Sequence, residues 1–208
     1  MSFIFCLMGK SSSGKDSVYR RLLADGTLKL ERLVTGTTRP IREGEHDGVE
    51  YDFYTDAQLE ELERDGKIIE CRKYHTAHGI WYYFTVAHER MDVVNRDYIT
   101  INTLEAYTKL RAYYGSGHLI PIYLEVEDGE RLKRALEREM GEARPGYKEM
   151  CRRFLADEED FSRENLEREH IKPIFQNVRL DETVVEIAAY IRSVQKRVIC
   201  TDGSFQGE

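Results

Sequence analysis

Cysteine is sparse in this 208-residue chain, and what there is stands apart: Cys6, Cys71, Cys151 and Cys200 form no C-x-x-C pair. That spacing excludes a disulfide scaffold and points to a reduced, cytoplasmic protein. Cys6 and Cys151 lie in apolar patterns, where a free thiol acts as a small hydrophobe. Long hydrophobic runs are also missing. No stretch approaches the roughly 20 apolar residues of a membrane span. Met1 to Gly9 has no basic leader, so no signal peptide is expected. The six histidines are scattered. His75 and His78 are the one close pair, without the further ligands a zinc site needs. Basic excess is absent: 31 Lys+Arg against 38 Asp+Glu leave a net charge of -7. A nucleic-acid binder would show the opposite field, although a local basic pocket for a small anion is compatible with this balance.

What remains is a globular composition, 41% hydrophobic and 33% charged. A chain of this length is one domain, or one core with small insertions, and hides roughly 70% of its unfolded surface. Phe3 to Met8 is a continuous apolar run, as in a strand of a parallel sheet covered on both faces. Gly9 to Lys15 is a Gly/Ser-rich loop. From Asp16 the pattern turns helical, with Val18, Leu22 and Leu23 spaced for one face and Gly26 as a stop. Residues 34–90 read differently, as an inserted, mainly β subdomain. Val49, Tyr51 and Phe53 alternate as a strand. Thr55 and Gln58 fit a capping box for a short helix closed by Gly66. Ile68 to Glu70 and the aromatic run Trp81 to Phe84 read as strands. The α/β rhythm then resumes. Strands are expected at Tyr98–Asn102, Leu119–Val126 and Ile174–Phe175, and a helix at Leu104–Tyr114. Asp128 is expected to cap a helix burying Leu132, Ala135, Leu136 and Met140. After Gly141, Pro145 and Gly146, a long helix carries Cys151, Phe154, Leu155 and Phe161 on one face. Asp181 is expected to cap a last helix, with a frayed tail over 201–208.

The sharpest motif is Gly9-Lys10-Ser11-Ser12-Ser13-Gly14-Lys15, a G-x-x-x-x-G-K loop between a strand and a helix. In that setting backbone N–H groups wrap phosphates, the lysine reaches the outer ones, and the helix start favours an anion. The residue after Lys15 is Asp16 rather than Ser or Thr, followed by Ser17. A carboxylate is a good hard ligand for Mg²⁺. It also suits the first turn of a helix as a dipole partner.

Taken with this loop, Thr35-Gly36-Thr37-Thr38-Arg39-Pro40-Ile41-Arg42-Glu43-Gly44-Glu45-His46-Asp47-Gly48-Val49-Glu50-Tyr51-Asp52-Phe53 resembles the guanylate kinase signature. The order of elements resembles that family along nearly the whole chain, as a divergent member of bacterial type. The resemblance implies an α/β fold: a parallel-sheet P-loop kinase core, an inserted mainly β acceptor-binding subdomain and a helical lid. On it the core takes 1–33, 91–138 and 168–200, the acceptor-binding part 34–90 and the lid 139–167. It implies that Arg39, Arg42, Tyr51 and Tyr83 grip the acceptor phosphate, with Thr35 nearby and Glu45 orienting the arginine loop. Two guanidinium forks beside hydroxyls suit a phosphate monoester on chemical grounds as well. Glu70 falls where the family reads the base, since a carboxylate accepts from guanine N1–H and its amino group together. Thr85 falls where a family hydroxyl meets the base. Where the family has D-x-D, this strand reads Thr100-Ile101-Asn102, and Asn102 accepts without charge. Arg153, Arg138 and Arg144 fall in the lid region as candidate clamps on the transferring group. Asn177 falls where the family contacts the donor adenine.

These residues imply ATP and GMP as substrates, with Mg²⁺ held near Asp16, and neither nucleic acid nor membrane as partner. An alternative is a kinase of the same fold for another (deoxy)nucleoside monophosphate or small phosphate acceptor. A further alternative is a non-catalytic protein-binding module, against which the intact Gly9, Gly14 and Lys15 argue.

Overall fold

The computed structural model describes residues 2–76, 79–87 and 95–201, with side chains described through Lys196. Among them, the apolar run after Phe3 forms β1 (Ile4–Met8), buried along its whole length. It is the middle strand of a five-stranded sheet. β7 (Asp97–Ile101) pairs with β1 on one side and β8 (Leu119–Glu125) on the other. β2 (Leu30–Arg32) and β9 (Ile174–Gln176) complete the edges, and every pairing is parallel. The continuous apolar character of β1 is thus the signature of a strand covered on both faces. One face packs Phe5, Leu7 and Ile99 against Val18 and Leu22 of α1 (Lys15–Ala24) and Ile187 and Ile191 of α7 (Leu180–Thr201). The other packs Ile4, Cys6 and Met8 against Tyr107 and Leu110 of α3 (Leu104–Tyr114).

A second, four-stranded sheet draws on residues 36–86. Its order is β4 (Asp52–Phe53), β3 (Gly36–Thr37), β6 (Gly79–Val86), β5 (Ile68–Thr76). Antiparallel β5 and β6 dominate it, with a bulge between Ile68 and Glu70. α2 (Asp56–Arg64) covers it through Leu59, and its capping box is complete: Gln58 N donates to Thr55 Oγ1 and Thr55 N to Gln58 Oε1.

The remaining helices are α4 (Asp128–Met140), α5 (Tyr147–Asp160) and α6 (Arg163–Arg168). No helix among the described residues is long and apolar enough to cross a membrane.

Several sequence expectations shift here. The strand expected from Val49 is confined to Asp52–Phe53, because Asp47 Oδ1 takes the Phe53 N–H at 2.8 Å and curls the preceding residues into a turn. Glu127, not Asp128, caps α4 by accepting from Glu130 N. Asp128 is drawn instead to Arg131 at 2.8 Å. That contact turns α4 over: Arg131 and Ala135 are buried, whereas Leu132, Leu136 and Met140 face solvent. On α5, Met150 is buried and Cys151 and Leu155 are exposed. The helix stops before Phe161, which leaves the helical face to pack on Tyr123 in the core. Asp181 lies inside the first turn of α7 rather than at its cap, and pairs with Arg21 of α1. His78 and the tail beyond Thr201 lie outside the described residues, as does the side chain of Cys200.

Candidate active site

The loop between β1 and α1 leaves the carboxyl end of the central strand, with β7 on one side and β8 on the other. In open α/β sheets, ligands bind at this kind of crevice. Gly9 has φ +151°, and a Cβ there would stand 2.5 Å from the Leu124 carbonyl oxygen. Gly14 has φ +88°, and its Cβ would stand 2.5 Å from Asn177 Nδ2. Both positions need glycine for conformation and for space. Beneath the loop, the buried Asn177 donates from Nδ2 to the Ser13 carbonyl at 2.7 Å.

Lys15 folds back, donating from Nζ to the carbonyls of Gly9 at 2.6 Å and Lys10 at 2.9 Å. Burial pulls its ammonium down to about 8, against the pull of the nearby Asp16 and Asp157 carboxylates. The hydroxyls of Ser12 and Ser13 are buried without a hydrogen-bond partner. Lys15, Asp16, Ser17, Arg134, Arg138 and Asn177 border the adjoining cleft of about 460 Å³. This is a concave, cationic space with unspent donors, suited to a polyanion.

α4 and α5 close on the loop from outside. Asp157 Oδ2 accepts from Ser11 N at 2.7 Å, and Glu158 accepts from Lys10 Nζ at 2.6 Å. Arg131 is only 1% exposed. It donates to Asp128, Glu158 and the Ser11 carbonyl and stacks over Phe154 with its guanidinium carbon 4.5 Å from the ring centroid. Arg153 reaches Ser11 Oγ at 3.4 Å.

A second constellation sits on the smaller sheet. Arg39, 3% exposed, forms a fork with Glu45, its Nη1 and Nη2 each 2.8 Å from a carboxylate oxygen. Glu45 also accepts from Arg42 N at 2.9 Å. The Arg39 guanidinium holds the Glu45 carboxyl below its usual range. Arg39 lies over the Tyr51 ring at 5.2 Å, and Tyr51 meets Tyr83 edge-on at 5.5 Å. The Thr35 carbonyl accepts from Asp52 N, tying the strand of Thr37 to that of Phe53. Further along β5, the Glu70 carboxylate is fully buried and accepts from Thr85 Oγ1 at 2.9 Å. The buried Asn102 donates from Nδ2 to Thr100 Oγ1 at 3.2 Å, and its Oδ1 has no partner.

The guanylate kinase family model matches residues 3–194. The chain belongs to the guanylate kinase family. A curated relative, the guanylate kinase of Oceanobacillus iheyensis, is 38% identical over 71 residues, a match spanning 34% of this chain and 34% of that protein. The crystal structure of guanylate kinase from Anaplasma phagocytophilum superposes with a TM-score of 0.63 at 20% identity, over 92% of this chain and 85% of that one. This likeness confirms the expected fold, a P-loop kinase core with a parallel sheet.

The structure brings most of the family positions together around two stations. Gly9, Lys10, Ser11, Ser12, Ser13, Gly14, Lys15, Asp16, Ser17 and Asn177 form the first, and Arg138 borders its cleft. Arg39, Glu45, Tyr51 and Tyr83 form the second, with Arg42 exposed beside them. Arg144 is not brought to either: it is exposed in the turn between α4 and α5. Three residues escape sequence reasoning. Arg131 and Arg134 sit on what looks like a solvated helix face, and Arg72 on what looks like a solvated strand.

Proposed function

We propose that this chain transfers the γ-phosphoryl group of ATP to a nucleoside monophosphate, with GMP as the preferred acceptor, giving ADP and GDP in the cytoplasm. The observation that carries this reading is the pairing of two anion stations of different design. One is a glycine loop with orphaned Ser12 and Ser13 hydroxyls, suited to a triphosphate. The other is the Arg39–Glu45–Tyr51–Tyr83 cage, suited to a phosphate monoester. Family membership supports assigning donor and acceptor to them in that order.

In this reading Lys15 turns from its two carbonyls to the outer phosphates. Arg153 and Arg138 approach the transferring group, and Arg144 joins them only if residues 139–167 move inward as a lid. Arg39 and Arg42 hold the acceptor phosphate, with Glu45 keeping the Arg39 fork in plane. The acceptor phosphate has a second pKa of about 6, so it is mostly ionised at neutral pH and needs no general base. Positioning and charge stabilisation then suffice for transfer. The Asp16 carboxylate, exposed in the cleft beside Ser17, is a hard oxygen donor that fits the Mg²⁺ of MgATP, which would offset phosphate charge. The test is ADP release measured across GMP, dGMP, IMP, AMP, CMP and UMP. ADP release with none of them would refute the assignment.

A further inference from the structure

At the base end of the acceptor site, the group left partly open is not the one the sequence singles out. Glu70 is sealed off, its side chain 0% exposed, whereas Arg72 beside it keeps 11% of its side-chain surface open. Strand alternation explains why the two meet, and the register sets what lies opposite them. The bulge after Ile68 brings Glu70 opposite Thr85 and Arg72 opposite Tyr83. In a strand, residues two apart share a face, and cross-strand partners share it too. Glu70, Arg72, Thr85 and Tyr83 therefore line the same side of the hairpin. Arg72 continues the row from the Tyr51–Tyr83 pair, at the phosphate end, toward Glu70 and Asn102.

Arg72 is anchored on the carboxylate. Its Nε donates to Glu70 Oε2 at 3.0 Å and its Nη2 reaches Oε1 at 3.4 Å. Nη1 donates to Thr103 Oγ1 at 3.3 Å, next to Asn102. Tyr74 also bonds to the guanidinium. Glu70 thus has both oxygens engaged, by Thr85 and by Arg72, and its charge is offset. Asn102 adds the second observation: it is 5% exposed and its Oδ1 is orphaned. A buried acceptor without a donor is costly, and a bound ligand supplying an N–H removes that cost.

We propose that Arg72 is the specificity-determining residue for the acceptor base, with Glu70 as its anchor, and that together with Asn102 it selects the amide edge of a 6-oxopurine. This rests on the nucleoside-monophosphate kinase reading above. The amide edge offers a carbonyl acceptor at C6 and an N–H donor at N1. Arg72 supplies the donor for the first, and Asn102 Oδ1 the acceptor for the second. Adenine inverts both: its 6-amino group is a donor that would face a guanidinium, and its N1 an acceptor that would face a carbonyl oxygen. Neither group is committed to the 2-amino group of guanine, so hypoxanthine satisfies the pair as well as guanine does.

The experiment compares kcat/KM for GMP, IMP and AMP in the wild type, R72A and the doubly neutral E70Q/R72Q. The double variant leaves no buried charge uncompensated, and its melting curve checks that it folds. In the wild type, GMP and IMP should lie within about tenfold of each other, both at least about 100-fold above AMP. Each variant should lose about 10- to 100-fold with GMP and IMP, the worth of one arginine–base contact, and little with AMP. The loss should appear in KM for the purine acceptor and leave KM for ATP unchanged, which a general structural defect would not do. The inference is overturned by a wild type that rejects IMP about 100-fold relative to GMP, or by variants that turn over acceptors with unchanged GMP-to-AMP selectivity. A wild type that phosphorylates none of the three overturns this inference, and the kinase reading falls with it only if dGMP, CMP and UMP release no ADP either.

Discussion

Arg131→Met should loosen the phosphate loop from outside the cleft. The side chain is 1% exposed and meets Asp128, Glu158, the Ser11 carbonyl and the Phe154 ring, with the Asp157 carboxylate further off at 4.0 Å. Methionine keeps most of the stem and its packing on Phe154, so the loss is confined to the guanidinium. The carboxylates of Asp128 and Glu158 are 55% and 36% exposed and can rehydrate, so each pair is worth about 1 kcal/mol or less. The bond to the Ser11 carbonyl adds about 1 kcal/mol and the cation–π contact about 1 kcal/mol. The sum is about 2–4 kcal/mol, or a fall in melting temperature of roughly 5–15 °C for a chain of this size. The functional cost should exceed the thermal one. Arg131 is the common partner of the loop and of the α5 carboxylate that holds Lys10, so its loss lets Ser11 drift. A misplacement of about 1 Å can cost about 100-fold. KM for ATP should rise by 10-fold or more, and amide exchange should quicken at Ser11 and along α5. Arg131→Lys, which keeps charge without the fork, should recover stability in part and KM less. A melting temperature within about 1 °C of wild type, together with unchanged KM for ATP, would refute the reasoning: the carboxylates would then be as well served by water.

Lys15→Ala should abolish phosphoryl transfer and leave the melting curve intact, because the ammonium contacts only loop carbonyls; wild-type turnover would remove the phosphate-loop assignment. In the unmutated chain, burial sets the free-state Lys15 pKa at about 8, so its cation is present below that pH and lost above it. The rate constant kcat/KM for ATP should therefore decline as pH rises through about 8, and a flat profile from pH 7 to 9.5 would contradict this. Asp16→Ala should raise the Mg²⁺ concentration giving half-maximal rate and Asp16→Ser should keep substantial activity; an unchanged Mg²⁺ dependence in the alanine variant would leave Asp16 with only the helix dipole. Gly14→Ala forces φ +88° on a residue with a Cβ and sets that atom 2.5 Å from Asn177 Nδ2, breaking its bond to Ser13. Strain of about 1–2 kcal/mol plus about 1 kcal/mol for the bond should show in urea unfolding, with a matching loss of ATP affinity.

The parts of this molecule that the sequence discloses are those set by local chemistry. β1 announces itself because a strand buried on both faces has no polar residue to spare. Thr55 and Gln58 announce α2 because both halves of a capping box lie within four residues. The glycine loop is legible because φ and space at Gly9 and Gly14 admit little else. Long-range electrostatics breaks the same logic on α4. Leu132, Leu136 and Met140 form the apolar stripe that helical spacing would bury, yet Arg131 is the residue drawn inward, because the carboxylates of Asp128 and Glu158 and the Ser11 carbonyl converge there. Two of those three partners lie far away in sequence, so no window of the chain contains the reason. Arg72 is hidden for a related cause. In Glu-Cys-Arg-Lys, a basic residue reads as the solvent side of a strand, and only its partners across the hairpin and the neighbouring Thr103 decide otherwise. Period-two alternation keeps Arg72 on the face of Glu70, with Tyr83 and Thr85 opposite them, and a guanidinium stands where the family signature leads one to expect a bare carboxylate. On the reading proposed above, a base-reading site keeps its glutamate and still changes what it presents to the base.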